Sequence, residues 1–507
     1  MSESLPEEKS RFRALITISI MLATLLYSID WTIVVVALPY MKGIFSATED
    51  QVAWVITCYI VASAIALPTA GWASRRFGRK RMMLISIAGF TFASIACGAA
   101  DSLFVEVIAR VFQGFLGVFI LPLSNTIMLD NFDAKDHGKA LSIWSIGAFS
   151  GSFFGPVLGG YLTEYLSWRY VFYINIPIGM LAFLGILFFL RESKRDYRAK
   201  LDWLGFLSLA VGVSALQIMF DRGHRLDWFD SSEIILEAII AACAFYFFVI
   251  HSFTSARPFL DPRLLSTRQF RMGLIFMGFY GLLTVPILAL MPIFLDDLIG
   301  YPIDTVGLLQ TPRGIGLLVA LFLAGRLSGK VDPRYLIGLG LLSIAVANYE
   351  MSRWSLDVSE NAIIWTGFMQ GVGAGITIIP IQEIAFYGKS SNQRTDASAL
   401  INLTRSVCSS VGVSVTLIFY FINSGTARSD LVPNVNLFSK SFQETSELAQ
   451  RSQALAEVGV EIDRQASMLG YSGAFLFLAV LTLIPFLVLF FVGNLKVGDQ
   501  EDSKSSS

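Results

Sequence analysis

Charge is what this sequence has least of. Asp, Glu, Lys and Arg make up 15% of its 507 residues, where a soluble chain carries about 25%. Apolar residues supply 54%, and the mean hydropathy is +0.62. No single soluble core absorbs that much apolar surface at this length. The same figures exclude disorder, collagen, coiled coil and a disulfide-rich secreted scaffold. What remains is a polytopic membrane protein. The net charge of -1 argues against nucleic acid as a partner.

Cysteine and histidine are also scarce. Cys58, Cys97, Cys243 and Cys408 each lie inside an apolar segment, and His137, His224 and His251 sit near segment ends. No close Cys pair or Cys/His cluster exists, which argues against a disulfide framework and a zinc site and leaves little material for hydrolytic chemistry. No GxxxxGK[ST] loop is present, so neither a nucleotide nor a bound cofactor is expected. The apolar stretch after Arg13 is too long for a signal peptide and lacks a small-residue cleavage site, so it reads as the first span.

Long apolar runs, by contrast, are everywhere. A spanning helix needs about 20 mostly apolar residues, and that rule gives about fourteen spans. They fall near 14–38, 52–72, 82–100, 103–129, 139–164, 169–190, 203–221, 233–254, 270–295, 304–327, 335–353, 361–388, 395–424 and 469–494. The segments 73–81, 191–202 and 255–271 are rich in Lys and Arg and alternate with segments nearly free of them. The positive-inside rule therefore puts the basic set, and both termini, in the cytoplasm. The segment 425–468 reads as a long loop on the opposite side. Within it Phe442, Leu448, Leu455, Val458 and Ile462 recur at near-helical spacing, as in a surface helix or a docking face for a partner.

A weak repeat divides the chain. RVFQGFLGVFILP (Arg110–Pro122) matches GFMQGVGAGITIIP (Gly367–Pro380), and GWASRRFGRKR (Gly71–Arg81) matches GRLSGKVDPR (Gly325–Arg334) in the same order. Two related halves around a midplane site are the plan of many secondary transporters. The expected organisation is an all-α membrane protein with six spans in 1–190, an inserted pair in 191–269, and six spans in 270–507 with the loop 425–468.

Embedded charges mark the candidate site. Asp30 lies in the first span, where an isolated carboxylate is costly unless it is paired or reaches water. Arg110 is its natural partner. Both residues lie roughly 10–14 Å below the outer surface at 1.5 Å per residue. A protonatable carboxylate beside a fixed guanidinium forms a charge switch: protonation frees the Arg, and deprotonation recaptures it. Gln113 follows Arg110 by one turn on the same face. Trp31, Gln113 and Asn125 are candidate cavity residues. Gly71, Gly78, Arg79 and Lys80 form a topology signal or a cytoplasmic latch. Gly151, Gly155 and Gly159 recur every four residues and suit close helix packing, with Pro156 as a bend and Gly160 beside them. In the second half Arg313, Glu383 and Arg405 are embedded, and Glu383 with Arg405 is a conceivable pair.

These motifs together resemble the major facilitator superfamily, and within it the fourteen-span drug:proton antiporters of the EmrB/QacA type. The first-span signature matches at Asp30, Thr32, Ile33, Val34, Ala37, Leu38 and Pro39, with Val35 where an Asn is usual. The following motif matches at Gly71, Gly78, Arg79 and Lys80, with Arg75 where the wider superfamily has Asp. Arg110, Gln113 and Gly114 match the fourth-span motif. Gly151, Gly155, Pro156, Gly159 and Gly160 match the motif associated with antiporters. Further matches are Ser167–Gly179, Ala215–Ser231, Pro312–Gly316 and Asp463–Tyr471, the second of these resembling EmrB-like permeases of Gram-negative bacteria quite specifically. The resemblance implies proton-driven efflux of hydrophobic or amphipathic compounds across a bacterial inner membrane, without enzyme activity. It implies Asp30 and Arg110 as coupling residues and the proton as the only coupling ion. It also implies a periplasmic membrane fusion protein (EmrA-like) and an outer-membrane channel as partners. Export of one defined metabolite or siderophore is the alternative.

Overall fold

The computed structural model describes residues 6–491 except 134–135, 194, 198–199, 224–225, 256–257, 261 and 435–447. Among the described residues every regular element is helical. Lipid dictates this, because a spanning segment must satisfy its own backbone N–H and C=O groups.

The first half holds α1 (Pro6–Ile44), α2 (Glu49–Ala66), α3 (Ala70–Phe77), α4 (Arg79–Gly98), α5 (Leu103–Gly117), α6 (Ile120–Asp130), α7 (His137–Tyr165), α8 (Tyr170–Tyr173) and α9 (Asn175–Phe189). The inserted pair is α10 (Trp203–Arg222) and α11 (Ser232–Thr254). The second half holds α12 (Arg268–Ile293), α13 (Ile303–Leu327), α14 (Pro333–Ser352), α15 (Glu360–Phe386), α16 (Ser391–Leu431), α17 (Leu448–Leu481) and α18 (Leu483–Phe491). Thirteen stretches among the described residues are long and apolar enough to cross a membrane. The 29-residue α7, packed along α1, joins them.

Several predicted spans are broken rather than single. The fourth divides into α5 and α6 because Pro122 has no N–H to give the Val118 carbonyl. The second ends α2 at Ala66, makes a 3-10 turn through Pro68, and continues as α3. The basic stretch after it is therefore not a loop. Arg75 and Arg76 lie in the last turn of α3, which Gly78 terminates at φ 88° before α4 begins at Arg79. A side chain is strained in that backbone region, so the turn requires glycine.

The long loop 425–468 is also corrected. α16 runs to Leu431, and α17 begins at Leu448 and continues unbroken into the membrane. With 41 and 34 residues at 1.5 Å each, they are roughly 60 and 50 Å long, against about 30 Å of hydrocarbon. Both overrun the membrane as a hairpin. Arg428 Nε meets Asp463 Oδ1 at 2.8 Å, and the Tyr420 and Tyr471 rings lie 4.6 Å apart. Hydropathy ends each span where polar residues begin, but an amphipathic helix continues past that point. Phe442 lies outside the described residues.

The inserted pair is peripheral. α10 packs on α2 and α16, tied by Thr57 Oγ1 to Asp221 Oδ2 at 2.6 Å and Gln217 Nε2 to Ser410 Oγ at 2.9 Å. Only 11% of the apolar window of α11 is buried, which leaves that helix facing lipid.

The two halves join at the end that carries the basic segments. Arg75 pairs with Asp396, and Arg394 with Asp130 at 2.7 Å. Ser142 Oγ donates to the Leu321 carbonyl at 2.6 Å, and Asn125 Nδ2 to Gln382 Oε1 at 3.3 Å. Gly138 and Gly325 lie against Ser328 and Ser142, where no β-carbon fits without a shift. Glycine and serine at these positions let α7 and α13 approach closely.

Candidate functional site

A buried polar cluster forms inside the first half. Asp30 of α1 is 0% exposed and Arg110 of α5 is 1% exposed. Arg110 Nη1 donates to Asp30 Oδ2 at 2.8 Å. The other carboxylate oxygen accepts from Gln113 Nε2 at 2.8 Å and from Asn175 Nδ2, on α9, at 2.9 Å. The guanidinium also reaches Gln113 Oε1 at 2.6 Å and the Val55 carbonyl of α2 at 3.3 Å. It lies over the Tyr59 ring, 4.2 Å from the centroid. Asn175 is held in turn by Ser94 of α4 at 2.9 Å. The charges of Asp30 and Arg110 are thus matched and their hydrogen bonds filled, as a buried pair requires.

Three residues of this cluster come from different motifs. Gln113, expected to line a substrate cavity, is instead fully buried as a ligand to Asp30. Asn175 sits in the quoted stretch Ser167–Gly179 without having been singled out. Glu106 was missed altogether. It is 0% exposed, one turn before Arg110 on α5, and neither of its oxygens has a hydrogen-bond partner. A lone carboxylate in LFVEVIAR, at i−4 from an embedded arginine, was the signal. Trp31 is 42% exposed and lies tilted beside Tyr59, with ring centroids 6.1 Å apart.

The glycine stripe of α7 locks onto α1 beside this cluster. The Gly151 N–H donates to Ser28 Oγ at 3.2 Å, and its carbonyl accepts from Thr32 Oγ1 at 2.8 Å. A β-carbon at Gly151 would fall into the Ser28 backbone, and one at Gly155 onto the Thr32 side chain. Gly159 lies against Ile33. Gly160 is not part of this face, since nothing lies within 4 Å of its β-position. α7 stays helical through Pro156, whose side chain lies outside the described residues. Ser28 and Thr32 flank Asp30, so displacement of α7 is transmitted to the backbone that carries the carboxylate.

The basic end carries a charge lock. Gly71 makes room for Asp396, which Arg75 holds across the halves. Arg79 pairs with Asp130, which also takes Arg394. Lys80 Nζ donates to the Leu187 carbonyl at 2.6 Å, within the first half. Asp130, Arg394 and Asp396 were not identified from the sequence, because nothing local to them indicates a partner in the other half. Replacing Asp130 by Asn should loosen this end. The lost pairs are worth about 1 kcal/mol, roughly a fivefold shift in population. Spin-label distances between the ends of α6 and α16 would report it, and an unchanged distribution would remove Asp130 from the lock.

Between the halves lies a narrow cleft of about 40 Å³, lined in part by Asn125, Trp144, Phe149, Gln382, Asn402 and Arg405. The expected Glu383–Arg405 pair does not form. Glu383 bonds Ser328 instead, because that serine sits at the junction with α7 while Arg405 turns into the cleft. Arg313 donates to the Thr284 carbonyl at 2.8 Å through Nη2, and its Nη1 has no partner.

Comparison with known proteins identifies this architecture. The model of the Major Facilitator Superfamily matches residues 20–413. The multidrug export protein EmrB of Escherichia coli is 32% identical over 445 residues, 87% of each chain. The fatty acid resistance protein FarB of Neisseria gonorrhoeae is 31% identical over 497 residues, 96% of this chain and 97% of that one. The human organic anion transporter MFSD10 shares the fold, with a TM-score of 0.62 at 13% identity, covering 96% of this chain and all of its own. A helical bundle with these motifs, this cleft and these relatives is a multi-pass transporter, and the chain belongs to the major facilitator superfamily.

Proposed function

We propose that this protein exports hydrophobic and amphipathic compounds in exchange for protons, as the permease of a tripartite pump in a bacterial inner membrane. The observation that carries the reading is the buried Asp30–Arg110 pair, locked through Ser28 and Thr32 to the α1–α7 crossing. Proton uptake by Asp30 releases Arg110, relaxes the cluster and lets α1 and α7 shift; proton loss restores the pair. Residues 1–190 and 270–507 act as two bundles rocking about the cleft, with 191–269 as the inserted pair. The basic segments face the cytoplasm, and no cofactor takes part. Relatives named for multidrug export and fatty acid resistance support a broad amphipathic substrate range.

The α16–α17 hairpin supports docking to a membrane fusion protein, because it carries polar helix past the membrane on the side away from the basic segments. Loss of the pump should sensitise a host across a panel of chemically unrelated hydrophobic drugs. Restoring a pump that lacks residues 442–462 should leave the host sensitive while reconstituted vesicles still transport. Sensitivity to a single solute would replace multidrug efflux by a dedicated exporter. Full resistance from the inserted deletion variant would remove the hairpin from partner docking.

A further inference from the structure

Glu106 lies against the buried cluster without taking part in it. It is 0% exposed, near the start of α5, and neither of its oxygens accepts from an N–H or O–H group. The ionisable groups that face it are Arg110 on its own helix, Cys97 on α4, Asp30 on α1 and Arg169 in the turn before α8. Of these, the Cys97 thiol is only a weak donor, and it lies 3.7 Å from Gln113 Oε1. α2, which also packs on α5, contributes Tyr59, whose ring lies under the Arg110 guanidinium.

Glu106 also lies between the cluster and an aqueous edge. α5 begins at Leu103, at the end away from the basic segments, so Glu106 stands roughly 4.5 Å along the helix and Arg110 roughly 10 Å. Beside that end Arg169 Nη2 donates to the Ala100 carbonyl at 3.1 Å and to Asp101 Oδ1 at 3.4 Å, and Asp101 is exposed.

A buried carboxylate without a donor or a counter-charge is costly, so the neutral acid suits this site while Asp30 holds Arg110. Protonation of Asp30 reverses the balance, because Arg110 is then a buried cation that needs a new partner. Glu106 stands four residues before it on the same helix, with about 5–6 Å between β-carbons, and an acid placed N-terminal to a cation is the favourable order. The first turns of α5 favour negative charge as well.

We propose that Glu106 is a second counter-charge for Arg110 and the carboxyl that hands the proton to Asp30. This rests on the proton-exchange reading and names where the proton waits. The cluster holds one cation and two carboxyls, so it keeps one carboxylate and one proton in either state. In the exchange the O–H bond of Glu106 breaks, an O–H bond forms on Asp30, and Arg110 moves from one carboxylate to the other. The net charge of the interior is unchanged. Glu106 then regains a proton from the exposed edge as Asp30 loses its own towards the basic end, and Arg110 returns.

The test is infrared spectroscopy of the full-length protein in phosphatidylcholine nanodiscs at pH 7, where an ordinary glutamate, with a pKa of about 4.3, is ionised. The wild-type spectrum minus that of Glu106→Gln should show the carbonyl band of a free carboxylic acid. The same subtraction in an Asp30→Asn background should lose that band and show a carboxylate in its place, because Arg110 has turned to Glu106. A merely structural acid would give the free-acid band in both backgrounds. Glu106→Met and Asp30→Ala serve as second neutral variants should the amide proteins misassemble. Absence of the free-acid band from the wild-type difference would overturn the inference. So would an undiminished free-acid band in a folded Asp30→Asn or Asp30→Ala background. These outcomes are read without transport, so they are separable from failure of the efflux reading, which shows in drug susceptibility.

Discussion

Asp30→Asn should abolish proton-driven accumulation while leaving substrate binding in place. The substitution preserves the shape of the side chain and its acceptor oxygen but removes both the charge and the site of proton uptake. In the wild type, Asp30 accepts from Arg110, Gln113 and Asn175 at once, and Arg110 also rests on Tyr59. Loss of the carboxylate leaves the guanidinium buried without its counter-charge, a change that costs roughly 3–5 kcal/mol when such a pair is broken. The variant should therefore be less stable to heat as well as uncoupled. Those two effects are separable. Asp30→Glu restores the charge one methylene away and should recover part of the activity. A merely structural role would make stability and transport fall and recover together. The measurement is transport in proteoliposomes with and without an imposed pH difference, alongside equilibrium binding. Wild-type accumulation by Asp30→Asn would show that coupling resides elsewhere. Glu106, buried beside Arg110 with both oxygens unpartnered, and Glu383, held by Ser328, would then be the carboxylates to examine.

Gly151→Leu should stop transport through packing rather than charge. At that position even a β-carbon meets the backbone of Ser28 and Ile29, and backbone cannot rotate aside as a side chain does. Overpacking costs about 1–3 kcal/mol in well-packed interiors, and occasionally more. The clash with main chain, and the loss of the hydrogen bonds from Gly151 N–H to Ser28 and from Thr32 to its carbonyl, put this site at the upper end. Gly155→Leu meets the Thr32 side chain, which can give way, so its effect should be smaller. Gly160→Ala is the control, because its β-position faces open space within 4 Å. Membrane insertion, followed by size-exclusion of the extracted protein, separates misassembly from loss of motion. A Gly151→Leu pump with wild-type transport would mean that α1 and α7 do not hold this crossing during the cycle.

The sequence by itself determined the class of this protein, because lipid imposes a rule that can be read locally. Each span needs enough apolar length, and each break needs a Pro or Gly, so the number of spans and the alternation of basic segments follow from composition. The Asp30–Arg110 pairing was legible for a related reason: both are charges in apolar runs, and their depths can be counted along a helix at a fixed rise. The glycine stripe was legible through its period of four, except that Gly160 falls off the face. What could not be counted along one helix was left to the tertiary structure. Whether Gln113 faces a cavity or Asp30 depends on how α5 is rotated against α1 and α9, which no local period specifies. Whether Glu383 meets Arg405 or Ser328 depends on where α15 lies relative to α13 and α16. Asp130, Arg394 and Asp396 carry no local signal because each has a partner in the other half of the chain. The ends of α16 and α17 were misplaced because hydropathy reports where lipid stops, and a helix whose backbone bonds are internal need not stop there.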